Sequence, residues 1–165
     1  MSELVQGDVT YFELRFEPSL DQVSIVRQFV GEFYQRVLDD PDLVSRVALA
    51  AHELLENAVK YANGGSSQIR MEVHNSAHAP RVEVITRNQA MPDHARVLLA
   101  RIDEMTAAPD ASGYYQALLR KSAKSVAMGG LGLGRIAAEA EMELTGSFED
   151  HVVEVRASAT RTVQP

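Results

Sequence analysis

Glu53, Asn57 and Lys60 fall at i, i+4 and i+7 within the stretch from Pro41 to Asn63. A helix over that stretch carries all three on one face. A carboxylate, a carboxamide and an amine in a row can build a phosphate and metal site. Tyr61 follows on the flank, and Val47, Ala51, Leu54 and Ala58 run down a neighbouring apolar face. Taken alone, the same spacing also describes an ordinary solvated helix face. A second stretch adds to it: Gly129-Gly130-Leu131-Gly132-Leu133-Gly134. Glycines in such a run let backbone N–H groups turn toward an anion without Cβ obstruction. The helix predicted after it offers a positive N-terminus to phosphate. Such a run also serves as a plain helix start. It is not a P-loop, because no Gly-Lys-Ser/Thr follows, and it departs from the dinucleotide Gly-x-Gly-x-x-Gly spacing.

The chain that positions these residues has 165 residues, enough for one domain with a proper core, taken as residues 1–165. Its net charge of -7 argues against general nucleic-acid binding and against docking on anionic lipid. The absence of cysteine excludes disulfides and thiolate metal sites. No apolar run reaches the roughly 20 residues of a membrane span, and the first residues lack a basic-then-apolar signal pattern. A soluble, cytoplasmic protein is the expectation.

Alternation of Tyr11, Glu13 and Arg15 with Phe12, Leu14 and Phe16 predicts a half-buried strand over Val9–Phe16. A helix follows to about Leu38, with Ser19 or Asp21 as its cap. Asp40 as N-cap and Pro41 at the first helical position restart the chain as the helix that ends at Asn63. Strands Gln68–His74 and Arg81–Thr86 read as an antiparallel hairpin. Asn88 to Asp93 is a loop, and helices follow over Ala95–Thr106 and Tyr114–Val126. The second of these is basic at Arg120, Lys121 and Lys124 and reads either as a solvated face or as a partner-docking or phosphate-closing lid. A short helix is expected over Leu133–Ala140. Strands Glu141–Phe148 and Val152–Ser158 close the chain, and residues 159–165 are expected to fray. This order predicts an α+β two-layer sandwich: a mixed, mostly antiparallel sheet with helices on one face. His74 and His78 flank the hairpin turn, but the sequence identifies no third ligand for a zinc site.

Taken together, the two motifs resemble those of the GHKL ATPase superfamily, the histidine-kinase-type (Bergerat) ATP-binding fold. The segment from His52 to Ala62 looks like its N-box, and Gly130 to Leu133 looks like its glycine-rich lid box. With no sensor and no phosphoacceptor histidine box, the chain is most similar to the stand-alone anti-sigma-factor serine/threonine kinases of partner-switching systems. The resemblance implies ATP and Mg2+ as cofactors. Asn57 would hold the Mg2+ through its carboxamide oxygen, a hard ligand. Glu53 stands at the family's general-base position. Lys60 would face a phosphate, Tyr61 would pack beside the adenine, and N–H groups of Gly130, Gly132 and Gly134 would wrap the phosphates. Arg135 is a further phosphate contact or a solvated residue. Glu56 lies off this face and reads as solvated or ion-paired.

One family box is missing. Where Asp-x-Gly-x-Gly should follow the strand, the chain has Thr86-Arg87-Asn88-Gln89-Ala90-Met91-Pro92. Asn88 takes the place of the aspartate that would accept from the adenine amino group, and both glycines are gone. Two functions follow. The first is a Mg-ATP-dependent kinase acting on a small antagonist protein in a system that controls a sigma factor. The second is a non-catalytic GHKL-fold regulator with a degenerate adenine site that sequesters a signalling partner. A homodimer is compatible with either.

Overall fold

The computed structural model describes residues 8–75, 80–123 and 130–161. Its elements are β1 (Val9–Phe16), α1 (Leu20–Val37), α2 (Pro41–Lys60), β2 (Ser67–His74), β3 (Arg81–Gln89), α3 (Pro92–Ala107), α4 (Ala111–Ser122), α5 (Leu131–Ala138), β4 (Glu143–Glu149) and β5 (Val152–Thr160).

The strands form one sheet in the order β1-β2-β3-β5-β4. Every neighbouring pair is antiparallel, so the expected mixed sheet contains no parallel pair among the described residues. Alternation along each strand sorts the side chains. Ile69, Met71 and Val73 of β2, Val82 and Val84 of β3, and Val153, Val155 and Ala157 of β5 are buried. They meet Val47, Ala50, Ala51, Leu54 and Leu55 of α2 and Val23, Val26 and Val30 of α1 in one core. This is the two-layer α+β sandwich that the element order predicts.

The sheet's other face is a lattice of ion pairs. Glu83, 3% exposed, accepts from Arg156 at 2.7 Å and pairs with Arg81 at 2.8 Å. Glu72 accepts from Arg70 at 2.5 Å and from His74 at 2.9 Å. Burial raises the pKa of the Glu72 carboxyl, but these two hydrogen bonds outweigh burial and leave it below the usual carboxylate range. Glu72, His74 and Glu83 converge closely enough to hold a metal ion, but arginines already satisfy both carboxylates. Tyr34 of α1 crosses the core and donates to the Glu83 carbonyl at 3.0 Å. Burial, with the Glu72 and Glu83 charges nearby, pushes its phenol well up. Tyr34→Phe is expected to cost about 1 kcal/mol, the net worth of a neutral hydrogen bond, in urea unfolding with the m-value unchanged. A change within error would show that the hydroxyl contributes nothing.

Local signals set most helix starts. Asp40 caps α2 by accepting from the Leu43 N–H at 3.1 Å, with Pro41 in the first turn as expected. Ser19 is the N-cap of α1, but its side chain makes no capping bond. Helix α2 stops at Lys60 rather than Asn63, because the Tyr61 N–H makes the last helical bond, to the Asn57 carbonyl. The predicted loop at Asn88–Asp93 is shorter than expected. Strand β3 runs on to Gln89, paired with Val152, and α3 starts at Pro92. Helix α4 begins at Ala111, because Asp110 accepts from the Ser112 and Gly113 N–H groups. The expectation of fraying from residue 159 is corrected. Ala159 and Thr160 pair with Val82 and Arg81, and the Arg161 N–H donates to the Pro80 carbonyl. Lys124, Val126, Gly129, His78 and residues 162–165 lie outside the described residues.

Candidate nucleotide site

The polar face of α2 is divided by its surroundings rather than presented as one surface. Asn57 lines a cavity of about 160 Å³ together with Tyr61, His94, Val97, Leu98, Arg101, Gly130 and Leu133. Its Nδ2 atom is buried and has no hydrogen-bond partner among the described residues. A buried amide left without a partner costs roughly 1–3 kcal/mol, so its retention here points to a ligand that completes it.

Glu53, one turn earlier, does not line this cavity. It is 9% exposed. Its Oε1 accepts from Arg135 Nη1 at 3.0 Å, and Arg135 Nε also donates to Glu139 at 2.9 Å. The Glu139 and Glu53 carboxylates together hold the Arg135 guanidinium above its ordinary pKa. Arg135 therefore pairs with the expected general base directly, with its side chain still 42% exposed.

Lys60 does not reach the cavity. Its Nζ sits 5.2 Å from the ring centre of its neighbour Tyr61. The Tyr61 ring meets His94 edge-on at 6.0 Å. Glu56 is exposed and pairs with His52 at 3.2 Å, one helical turn away.

The glycines divide in the same way. Helix α5 starts at Leu131, two residues before its predicted start, so Gly132 and Gly134 lie within the helix. The Gly134 N–H is spent on the Gly130 carbonyl at 3.1 Å and is not available to a phosphate. Gly130 is the N-cap, with φ of 109°, a conformation open to glycine and costly for other residues. Gly132 has a different constraint: a Cβ there would lie 2.5 Å from Glu53 Oε2. A side chain there would push the Glu53 carboxylate from its present position.

Asn88 is not part of this arrangement. Its side chain donates to the Gln89 carbonyl at 3.0 Å, and it lines a separate cleft of about 270 Å³ with Arg15, Arg87 and Gln68. Where an adenine-side group was expected, the Asn57 cavity has α3 instead. His94, Leu98 and Arg101 occur at i, i+4 and i+7, the same spacing that marks Glu53, Asn57 and Lys60, so their common face was readable in the sequence. That this face turns onto Asn57 was not.

Residues 16–142 match the model of the histidine kinase-like ATPase domain family, and the chain belongs to that family. A chain in the structure of the SiaB–SiaC complex from Pseudomonas aeruginosa superposes on this one with a TM-score of 0.67. The match covers 91% of this chain and 89% of that chain at 16% identity, a likeness of fold. No curated protein matches the sequence.

The family implies a nucleotide, and the residues fit part of one. The unpartnered Asn57 Nδ2, the Arg101 side chain and the α5 N-cap at Gly130 share one cavity, a donor set suited to phosphate oxygens. The cavity among the described residues is smaller than a whole nucleotide needs. Ligand pockets run to roughly 300–1,000 Å³, whereas this cavity, lined by Val97 and Leu98 as well as Tyr61, holds about 160 Å³ among the described residues. No described helix is long and apolar enough to cross a membrane.

Proposed function

We propose that this chain is a Mg-ATP-dependent serine/threonine protein kinase of the anti-sigma-factor, partner-switching type, acting on a small antagonist protein. The observation that carries the reading is the unsatisfied Asn57 amide facing Gly130 and Arg101, with the Glu53 carboxylate one turn away on the same helix. Asn57 would hold Mg2+. Arg101 and Gly130 would hold phosphate oxygens, and Tyr61 would flank the base. Bound Mg-ATP supplies an electrophilic phosphoryl group whose charge the metal neutralises. The protein's own part is to orient that group and to take the proton of the attacking hydroxyl on Glu53. Arg135 holds the carboxylate in place through its Nη1 hydrogen bond, and breaking that bond frees it. The structure thus fits a resting conformation in which the base is locked and α3 fills the base-side space. A small-protein partner agrees with the SiaB–SiaC assembly being a complex of two proteins.

A second reading, a non-catalytic regulator that sequesters its partner, is favoured by the small cavity and by the position of Asn88 away from it. Thermal unfolding separates the two. Mg-ADP or Mg-ATP at about 100 times Kd adds roughly 2.7 kcal/mol. For a domain of this size that raises Tm by about 5–10 °C. No shift at millimolar nucleotide would sink the kinase reading and leave the regulator.

A further inference from the structure

Strand β4 is an edge of the sheet and pairs with β5 alone among the described residues. Its register with β5 runs unbroken from Glu143 to Glu149, without a bulge. The strand has no lysine and no proline, residues that commonly keep a second strand off an edge. Asp150 and His151, with φ of 49° and 63°, form the two-residue turn to β5. Such a turn makes Glu149 and Val152 a hydrogen-bonded pair, and hydrogen-bonded pairs alternate along an antiparallel ladder. The backbone N–H and C=O groups of Leu144, Gly146 and Phe148 therefore point away from β5, toward the open side. Thr145, Gly146 and Ser147 are exposed. A groove of about 560 Å³ adjoins the first half of the strand, lined by Met105, Ala137, Met142 and Leu144 together with Glu141 and Glu143. This edge is acidic. Glu141, Glu143, Glu149 and Asp150 are exposed, and none is in an ion pair among the described residues. No lysine or arginine occurs between Arg135 and Arg156.

From this we infer that the β4 edge binds an extended, basic peptide segment as a further antiparallel strand of the sheet. Strand addition gives partners to the three outward-facing residues, and side-chain pairing sets what is recognised. Residues opposite one another in a ladder share a face of the sheet. In a seven-residue segment running from Glu149 to Glu143, positions one and seven oppose the two glutamates and call for Lys or Arg. Position six opposes Leu144 and turns to the side of the methionine-lined groove, so an unbranched or γ-branched apolar residue suits it. Positions three and five oppose Ser147 and Thr145 and take polar residues. A second copy of this chain is a poor occupant. Paired with itself about Gly146, β4 sets Glu143 against Glu149, acid against acid, on a chain of net charge -7. Charge therefore selects a basic segment. The inference rests on the sheet edge and not on the kinase reading, because the segment is held by its backbone and not by a hydroxyl group to be phosphorylated.

The test titrates acetyl-Lys-Val-Gln-Val-Gln-Leu-Lys-amide into the full chain and follows backbone amides by NMR and hydrogen exchange. The Leu144, Gly146 and Phe148 amides should shift, and their exchange with water should slow as the peptide saturates. N-methylation of the central valine, whose N–H faces Gly146, should weaken binding by about tenfold, since it removes one ladder hydrogen bond and leaves its acceptor unpaired. N-methylation of the next residue, the second glutamine, whose N–H faces away, should leave the affinity nearly unchanged. The same peptide with both lysines replaced by glutamate should bind about tenfold more weakly. The double variant Glu143→Lys with Glu149→Lys alters only exposed side chains, so it should keep the circular dichroism spectrum and reverse the order of the two peptides. No shift at millimolar peptide would overturn the inference. Equal losses from the two N-methylations, or equal binding of the lysine and glutamate peptides, would overturn it as well. Slow exchange at the three amides before peptide is added would assign the edge to a second copy or to another part of this chain, and would also overturn it.

Discussion

Glu53→Ala is expected to lower phosphotransfer to the partner protein by about 10²–10⁴-fold while Mg-nucleotide binding persists. That range is the usual contribution of a positioned general base. The carboxylate lies one turn from Asn57 on α2 yet does not line the Asn57 cavity, so removing it leaves the phosphate-side groups in place. The cost in stability should be small. Arg135 is partly exposed and keeps Glu139, and ion pairs with exposed partners contribute at most about 1 kcal/mol. The measurement is a single-turnover phosphotransfer assay run beside a nucleotide thermal shift. Equal rates for Glu53→Ala and wild type would rule out Glu53 as the base. Loss of both activity and the thermal shift would mean that Glu53 shapes the pocket rather than the proton transfer.

The neighbouring residue should behave in the opposite way. Leu54→Ala is expected to destabilise the fold by about 3–5 kcal/mol, because Leu54 has no exposed surface and its removal opens a cavity at the centre of the core. For a domain of this length the midpoint should fall by about 6–20 °C, and the lost stability is a large share of a typical total of about 5–15 kcal/mol. Activity per folded molecule at low temperature should stay close to wild type, since Leu54 does not line the Asn57 cavity. A loss below about 1 kcal/mol would show that α2 is not packed on the sheet as described. The two substitutions together separate the two faces of one helix: the core face, which holds α2 in place, and the adjacent face, which the proposed reaction would use.

Much of this helix was legible in the residues. The 3.6-residue period assigns Val47, Leu54 and Ala58 to the core and Glu53 and Asn57 to the next face. Asp40 and Pro41 mark its start through capping chemistry confined to a few neighbours. The β2–β3 hairpin was legible for the same reason, since alternation sorts Ile69 and Met71 from Arg70 and Glu72. Boundaries that depend on a partner were not legible. Ala159 reads as a frayed end until Val82 lies opposite it, and α5 reads as starting at Leu133 until Gly130 adopts its cap conformation.

The site divides along the same line. By itself the sequence determined which residues share a face within an element: Glu53, Asn57 and Lys60 on α2, whereas the helix expected from Ala95 left out His94, which the structure places on α3 with Leu98 and Arg101. Backbone periodicity is local and the same in any fold, so the α2 face follows from spacing alone. Only the tertiary structure decided which faces meet. It brings Arg101 and Gly130 to Asn57, turns Lys60 onto Tyr61, leaves Asn88 in another cleft and pairs Arg135 with Glu53 across 82 positions of sequence. Those meetings depend on how α2, α3 and α5 pack over the sheet. That packing is settled by close contact of whole side-chain surfaces, such as Gly132 against the Glu53 carboxylate, and no spacing rule within one element encodes it.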